Sequence, residues 1–425
     1  MLELLRHNRD LRYLFIAQVV SYAGDWFCYV ALLGVVGDVT DSSLLVSLVF
    51  VSQTLPAFLV SPVAGAAADR FDRRRIVVTV SCVQAVAALS LLAVGPGRVW
   101  LAFAAQATIA AFGAFVLPAA QAAVPNLARG EEELRKATAL FGSLWGAMLA
   151  VGAALGGGFA ALFGRRASFL ADATSFLLAA ALVAVIRRPM QEARRDSAER
   201  GRLRPIADMK VGLHHARRDP VLLALMSSKA TFAIGAGTVS LLAVLVTEVF
   251  DGGDGTTGLL LGMRGLGVAL GPLIASRLIG PSLSRLLTTC GLAGLVFGTC
   301  YLGVSVAGSL ALAALLVFVG HLGGGAQWTM STFGLQLRAP DEVRGRILAA
   351  DFAFLTFILT FTTTAAGALA TRIGPQATMG IFAGISLTTG TAYLVVTRRL
   401  RHRLRAEEDS AAATTAAAVS SPRPL

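Results

Sequence analysis

Asp25, Lys229 and Arg264 are ionisable side chains inside long apolar stretches of this 425-residue chain. A carboxylate at the centre of a membrane span costs about 2.5 to 3.5 kcal/mol on insertion scales, so Asp25 must face a wet cavity, find a cation or carry a proton. Each of these suits a group that couples proton movement to solute movement. Lys229 is one of only three lysines against 34 arginines. Its amine can shed a proton where a guanidinium cannot. An Asp25–Lys229 pair across a central cavity is the expectation, with snorkelling of Lys229 toward the membrane surface as the alternative. Arg264 keeps its charge and suits an anionic group of a substrate or a fixed carboxylate such as Glu248.

A second constellation lies in a loop. The run Gly65-Ala66-Ala67-Ala68-Asp69-Arg70-Phe71-Asp72-Arg73-Arg74-Arg75 places six charges between two apolar stretches, as a tight turn between membrane helices would. The basic residues by themselves set topology. Asp69 is not explained that way, but it is placed to meet the positive N-terminus of a neighbouring helix.

Other chemistries lack their residues. A phosphate-binding loop needs a Gly-Lys pair, and none of Lys136, Lys210 or Lys229 follows a glycine. His7, His214, His215, His321 and His402 are scattered, which leaves no cluster of acid, base and nucleophile and argues against an enzyme. Cys28, Cys82, Cys290 and Cys300 fall within apolar segments without metal-ligand spacing and read as packing residues. No metal or cofactor is expected.

The elements that must carry these residues are membrane helices. The chain is 55% hydrophobic and 15% charged, with a mean hydropathy of +0.69; soluble domains carry about 25% charged residues. Apolar windows long enough to cross about 30 Å of hydrocarbon fall at 11–36, 43–67, 76–96, 99–123, 138–163, 168–186, 220–250, 257–280, 286–307, 309–337, 347–371 and 376–397. Arg98, Arg165, Arg166 and Arg372 lie in the loops on one side, while the termini and the opposite loops hold most of the 37 Lys and Arg. By the positive-inside rule both termini are cytoplasmic. The net charge of +12 follows this topology and touches anionic lipid, so nucleic acid is not an expected partner.

Pro189 and Pro205, with a dense run of arginines, mark a division into two halves. Residues 1–186 form an N-terminal six-helix bundle, 187–218 a cytoplasmic linker, 219–400 a C-terminal six-helix bundle, and 401–425, rich in Ala, Ser, Thr and Pro, a disordered cytoplasmic tail. Glycines clustered at 152, 156, 157 and 158, and at 320, 323, 324 and 325, let helices approach closely.

The Gly65 to Arg75 layout resembles the loop between helices 2 and 3 of the major facilitator superfamily of secondary transporters. Further pieces resemble the branch that contains the enterobactin exporter and the macrolide efflux proteins: Gly24-Asp25, Pro118-Ala119 with Pro125 and Leu127, Ser168-Phe169-Leu170 with Asp172, Ser175 and Phe176, and Pro340 through Arg346. The resemblance implies an all-α membrane protein of twelve transmembrane helices in two pseudo-symmetric six-helix bundles, working by alternating access around a central site. It implies a proton-coupled exporter of a drug-like, macrolide or siderophore-type solute in the cell membrane. The partners are then a small-molecule substrate, protons and the lipid bilayer, with a monomer as the default. An importer or facilitator, or a non-transporting membrane interaction protein, are the alternatives. By the same resemblance Gly65, Asp69, Arg70 and Arg73, facing Arg344 and Arg346 ahead of helix 11, form a cytoplasmic gate.

Two positions depart from the exporter pattern. The fourth span has no arginine of the kind linked to proton transfer, and Ala153 stands where Gly152-Ala153-Ala154-Leu155-Gly156-Gly157 would carry proline.

Overall fold

The computed structural model describes residues 2–191, 205–279 and 282–420. These residues are almost wholly helical: α1 (Leu2–His7), α2 (Arg9–Thr40), α3 (Ser43–Arg70), α4 (Arg73–Ser90), α5 (Trp100–Leu127), α6 (Glu131–Phe163), α7 (Arg165–Ala184), α8 (Pro205–Arg218), α9 (Pro220–Ala236), α10 (Leu242–Val249), α11 (Asp254–Ile279), α12 (Leu283–Ser305), α13 (Leu310–Arg338), α14 (Asp341–Ile373), α15 (Pro375–Val396) and α16 (Arg398–Ser420). A 3-10 segment, Gly237–Leu241, joins α9 and α10 into one span, Pro220–Val249. Among the described residues eleven helices are long and apolar enough to cross a membrane, and Ala147–Phe163 of α6 supplies a shorter twelfth.

Polar caps set the helix starts. Asn8, Ser42, Asp72, Asp219, Ser282 and Ser309 each accept a hydrogen bond from a backbone N–H of the first turn, as orphan helix-terminal donors require. Two turns need glycine. Gly164 between α6 and α7 has φ +84°, and Gly374 between α14 and α15 has φ +81°, a region costly for any other residue. They occupy matching places, after the fifth and the eleventh spans.

The packing pattern repeats in the same way. In the N-terminal half α2 packs on α7, α3 on α5, and α4 on α5 and α7; in the C-terminal half α9 packs on α15, α11 on α13, and α12 on α13 and α15. The halves meet through α6 on α11 and α3 on α14, which are again equivalent pairs. The chain is thus two pseudo-symmetric bundles of six spans.

Two segments differ from their sequence-based expectation. Within 187–218, residues Pro205–Arg218 form helix α8, which lies so close to α14 that a Cβ on Gly212 would come within 2.3 Å of the Arg346 carbonyl. Residues 192–204 lie outside the described residues. The tail, expected to be disordered from 401, continues as α16 to Ser420. Its first turns are anchored: Leu404 is buried, and Glu408 accepts hydrogen bonds from Ser282 Oγ at 2.6 Å and from the Ser284 N–H at 3.4 Å. The alanines that follow favour helix. Residues 421–425 lie outside the described residues.

Candidate functional site

Asp25 sits midway along α2, half-buried. Asp172 of α7 is fully buried and within electrostatic reach of Asp25. Glycine makes this approach possible. A Cβ on Gly24 would come within 2.1 Å of Ser175 Oγ and 2.7 Å of Asp172 Oδ1, so only the bare backbone leaves α7 room to bring its carboxyl against α2. Ser175 Oγ donates to the Asp172 carbonyl at 2.8 Å and stands 3.5 Å from Oδ1. Asp172 Oδ2 is buried with no hydrogen-bond partner among the described residues.

Lys229 lies in α9 and is buried, as expected for an intramembrane amine with a partner, but the partner is not Asp25. It forms an ion pair with Asp351 of α14, donates to Thr332 Oγ1 at 2.9 Å, and lies 5.7 Å from the ring centroid of Trp328. Both members of the pair are 4% exposed at the side chain, so the charges neutralise one another inside the C-terminal half. The reason is depth. Lys229 is ten residues into α9 and Asp351 eleven into α14, and both helices start at the same end of the bundle. Neither snorkelling nor the Asp25 pairing describes Lys229 in this structure.

Arg264 is at the middle of α11. Its Nε is buried without a hydrogen-bond partner, and no ion pair to its guanidinium is formed among the described residues. Glu248, weighed as a fixed partner, is exposed near the end of α10. Tyr29 of α2, Tyr301 of α12 and His321 of α13 are within electrostatic reach of Arg264. Arg264 therefore borders both halves.

The expected gate is only partly described. The backbone of Gly65, Asp69 and Arg70 closes α3, while their side chains lie outside the described residues. Arg73 staples the N-terminal half, donating through Nη1 to the carbonyls of Ala122 at 2.7 Å and Met190 at 3.0 Å. Among the described residues it makes no hydrogen bond to α14. Arg344 donates through Nε and Nη2 to the Ala339 carbonyl at 3.3 and 3.1 Å, and Arg346 is exposed beside α8.

The end of the bundle remote from the termini carries a latch that sequence reasoning missed. Arg165, opening α7, binds Asp254, opening α11, through Nε at 2.7 Å and Nη2 at 3.0 Å. Its Nη1 pairs with Asp38 of α2. Gly34 leaves space for the cluster, since a Cβ there would lie 2.4 Å from Asp254 Oδ1 and 2.5 Å from Arg165 Cζ. Nearby, Gly157 and Gly258 bring α6 and α11 into backbone contact, with a Cβ on either falling 2.6 Å from the other's Cα. Ser240 Oγ reaches Ser47 Oγ across the halves at 3.0 Å. The signal was present in the sequence: Arg165 is one of few basic residues on its side.

Chemically the arrangement offers two carboxyls near one another in one half, a neutralised ion pair and a guanidinium with no ion-pair partner among the described residues in the other, and a salt-bridge latch joining them. Two polypeptides of known sequence are similar along most of the chain. An uncharacterized MFS-type transporter, YfiS of Bacillus subtilis (strain 168), is 26% identical over 393 residues, covering 87% of this chain and 89% of the relative. The staphyloferrin A transporter of Staphylococcus aureus is 23% identical over 347 residues, covering 80% and 84%. Among solved structures, a POT family transporter in complex with a thioalcohol-conjugated peptide matches with a TM-score of 0.73 at 12% identity, covering 92% of this chain and 96% of that one. A bacterial homolog of the human lysosomal transporter Spinster matches with a TM-score of 0.71 at 13% identity over the same shares. These relatives are transporters, not enzymes. The family model described as transmembrane secretion effector matches residues 5–422, and the chain belongs to that family of major facilitator membrane transporters.

Proposed function

We propose that this transporter is a secondary active exporter that expels a drug-like, macrolide or siderophore-type solute in exchange for protons. The observation that carries this reading is the approach of the buried Asp172 carboxyl to α2 at Gly24, next to Asp25 in the chain. Two neighbouring carboxyls at membrane depth repel one another when both are charged, so such a pair is suited to hold and release a single proton. The pair joins the first and sixth spans. A non-transporting role leaves the cost of burying two acids without a purpose.

Around this site the charge distribution supports a cell-membrane protein with cytoplasmic termini. The latch of Arg165, Asp38 and Asp254 then closes the outer end. Gly65, Asp69, Arg70 and Arg73, with Arg344 and Arg346, gate the inner end, and the two closures alternate as the halves rock. The solute binds between them as a monomer's cargo. Siderophore-type cargo is favoured by the staphyloferrin A transporter among the relatives.

The test is retention of a panel of macrolides, dyes and siderophores in an efflux-deficient bacterium producing the wild type, Asp25→Asn or Asp172→Asn. Lower retention by the wild type, lost in both variants and lost on adding a protonophore, is expected. Raised accumulation would point to import, and a lack of response across the panel would contradict export of this solute class.

A further inference from the structure

Among the buried polar atoms of the C-terminal half that have no hydrogen-bond partner among the described residues, three come from neighbouring side chains. They are Arg264 Nε, Tyr301 Oη and His321 Nε2, from α11, α12 and α13, and the three side chains are mutual electrostatic neighbours. Tyr301 and His321 are fully buried. A single unsatisfied buried group costs about 1 to 3 kcal/mol, so three together on adjacent helices form a poor packing solution and a good binding one.

Aromatic rings pack around Tyr301 and His321. Tyr301 stacks on Phe297 with centroids 4.3 Å apart and planes 22° apart. His321 meets Phe297 edge-on at 5.4 Å, Tyr301 at 5.7 Å and Phe232 at 6.4 Å. His321 Nδ1 lies 2.9 Å from the Val317 carbonyl. A carbonyl can only accept, so Nδ1 carries the hydrogen, and in the neutral ring Nε2 is left with a bare lone pair. The cluster therefore presents a guanidinium donor, a phenol that donates or accepts, and an imidazole acceptor.

A simple anion satisfies only part of that set. Its oxygens accept from Arg264 and Tyr301, but nothing on it donates to His321 Nε2. A carboxylate with a hydroxyl on the neighbouring carbon satisfies all three, the hydroxyl giving its hydrogen to the imidazole. We infer that Arg264, Tyr301 and His321 form the subsite that recognises a hydroxycarboxylate group on the transported solute. Tyr29 of α2 is within electrostatic reach of Arg264, and α11 itself packs on α6 and α2 of the other half, so an occupant there can favour one arrangement of the halves over another. This subsite rests on the transport function proposed above, but requires neither its direction nor its coupling ion.

The experiment is ligand binding to the purified, detergent-solubilised protein, with malate, succinate and chloride as probes. Malate and succinate differ by the one hydroxyl. Binding is read by isothermal calorimetry and by the rise in the thermal unfolding midpoint. The wild type should bind malate about tenfold more tightly than succinate, as one hydrogen bond to an otherwise unpaired buried acceptor allows, and chloride weakly. Arg264→Gln should remove binding of both acids. His321→Phe, which keeps the ring packing, should bring malate down to the succinate level while leaving succinate unchanged.

Equal binding of malate and succinate by the wild type overturns the hydroxyl recognition, and acid binding unaffected by Arg264→Gln overturns the site. Absence of acid binding in a wild type that still lowers solute retention in cells overturns this inference and leaves the exporter standing. Acid binding as expected, in a protein that moves no solute in cells, does the reverse. Unchanged elution on size exclusion identifies variants that have kept their fold.

Discussion

Arg165 grips both oxygens of Asp254, at 2.7 and 3.0 Å, and so ties the start of the sixth span to the start of the eighth across the boundary between the two halves. With side-chain exposures of 25% and 11%, the pair is sheltered enough to count. A sheltered, two-pronged charged contact is worth on the order of 1 to 3 kcal/mol. Arg165→Ala should therefore shift the population toward states in which this end is open. Spin-label distances between positions on α7 and α11 should lengthen in the variant, and Arg165→Asp combined with Asp254→Arg should restore them. Unchanged distances in Arg165→Ala would remove the latch from the mechanism.

Lys229 and Asp351 make a buried ion pair, whose loss on one side leaves an uncompensated charge. Lys229→Met should destabilise the protein by about 3 to 5 kcal/mol, while Lys229→Met with Asp351→Leu should recover most of that, since well-packed apolar pairs replace buried ion pairs at little cost. Thermal unfolding in detergent checks the comparison. Equal stability of Lys229→Met and the wild type would show that the pair is not a structural unit.

Gly24→Ala should disable the carboxyl pair without touching a carboxyl. The added methyl falls 2.1 Å from Ser175 Oγ and 2.8 Å from Ser175 Cβ, too close for rotation of so short a side chain to relieve, so α2 and α7 must separate. Solute retention in cells should rise toward the level of Asp172→Asn. Gly24→Ala with Ser175→Gly, which removes the two contacts to Ser175 and leaves only the 2.7 Å approach to Asp172 Oδ1, should recover part of the activity; failure of that rescue, with the fold intact, would argue against the steric account.

At the terminal end, Glu133 accepts from Asn8 Nδ2 at 2.9 Å and from the Arg129 N–H at 2.9 Å. Burial pushes its carboxyl up, but the Asn8 and Arg129 hydrogen bonds and the nearby arginines outweigh that and hold it below the usual range. A lowered folded value means that the contribution is fully present above the ordinary glutamate pKa of about 4.3 and is lost as pH falls through the lowered value. Asn8→Ala should flatten this acid limb of the stability profile while leaving neutral-pH transport intact. An unchanged acid limb would show that the Asn8 hydrogen bond does not set it.

Most of the fold was legible because membrane spans are written in composition: unbroken apolar windows, polar punctuation and a lopsided distribution of arginine. The α6 span is the weakest of the twelve by length, since its apolar part begins only at Ala147. The site was less legible. Asp351 went unweighed because it stands near a charged loop, and only the true start of α14 at Asp341 places it as deep as Lys229. Asp172 was visible as part of a motif, yet its meeting with Asp25 depends on the missing side chain of Gly24. Tyr301 and His321 look like ordinary core residues in sequence; what distinguishes them is a shared lack of partners, which is a property of three helices together.

The central claim is that a proton held by Asp25 and Asp172 drives solute movement. Its most direct test is solute flux in proteoliposomes under an imposed pH gradient, with a substrate identified from the cell panel. Wild-type protein should move solute against its own gradient toward the acidic side. Asp172→Asn should lose that uphill flux while retaining solute exchange in the absence of a pH gradient. Uphill flux that persists in Asp172→Asn and in Asp25→Asn, or wild-type flux indifferent to the pH gradient, would contradict the account.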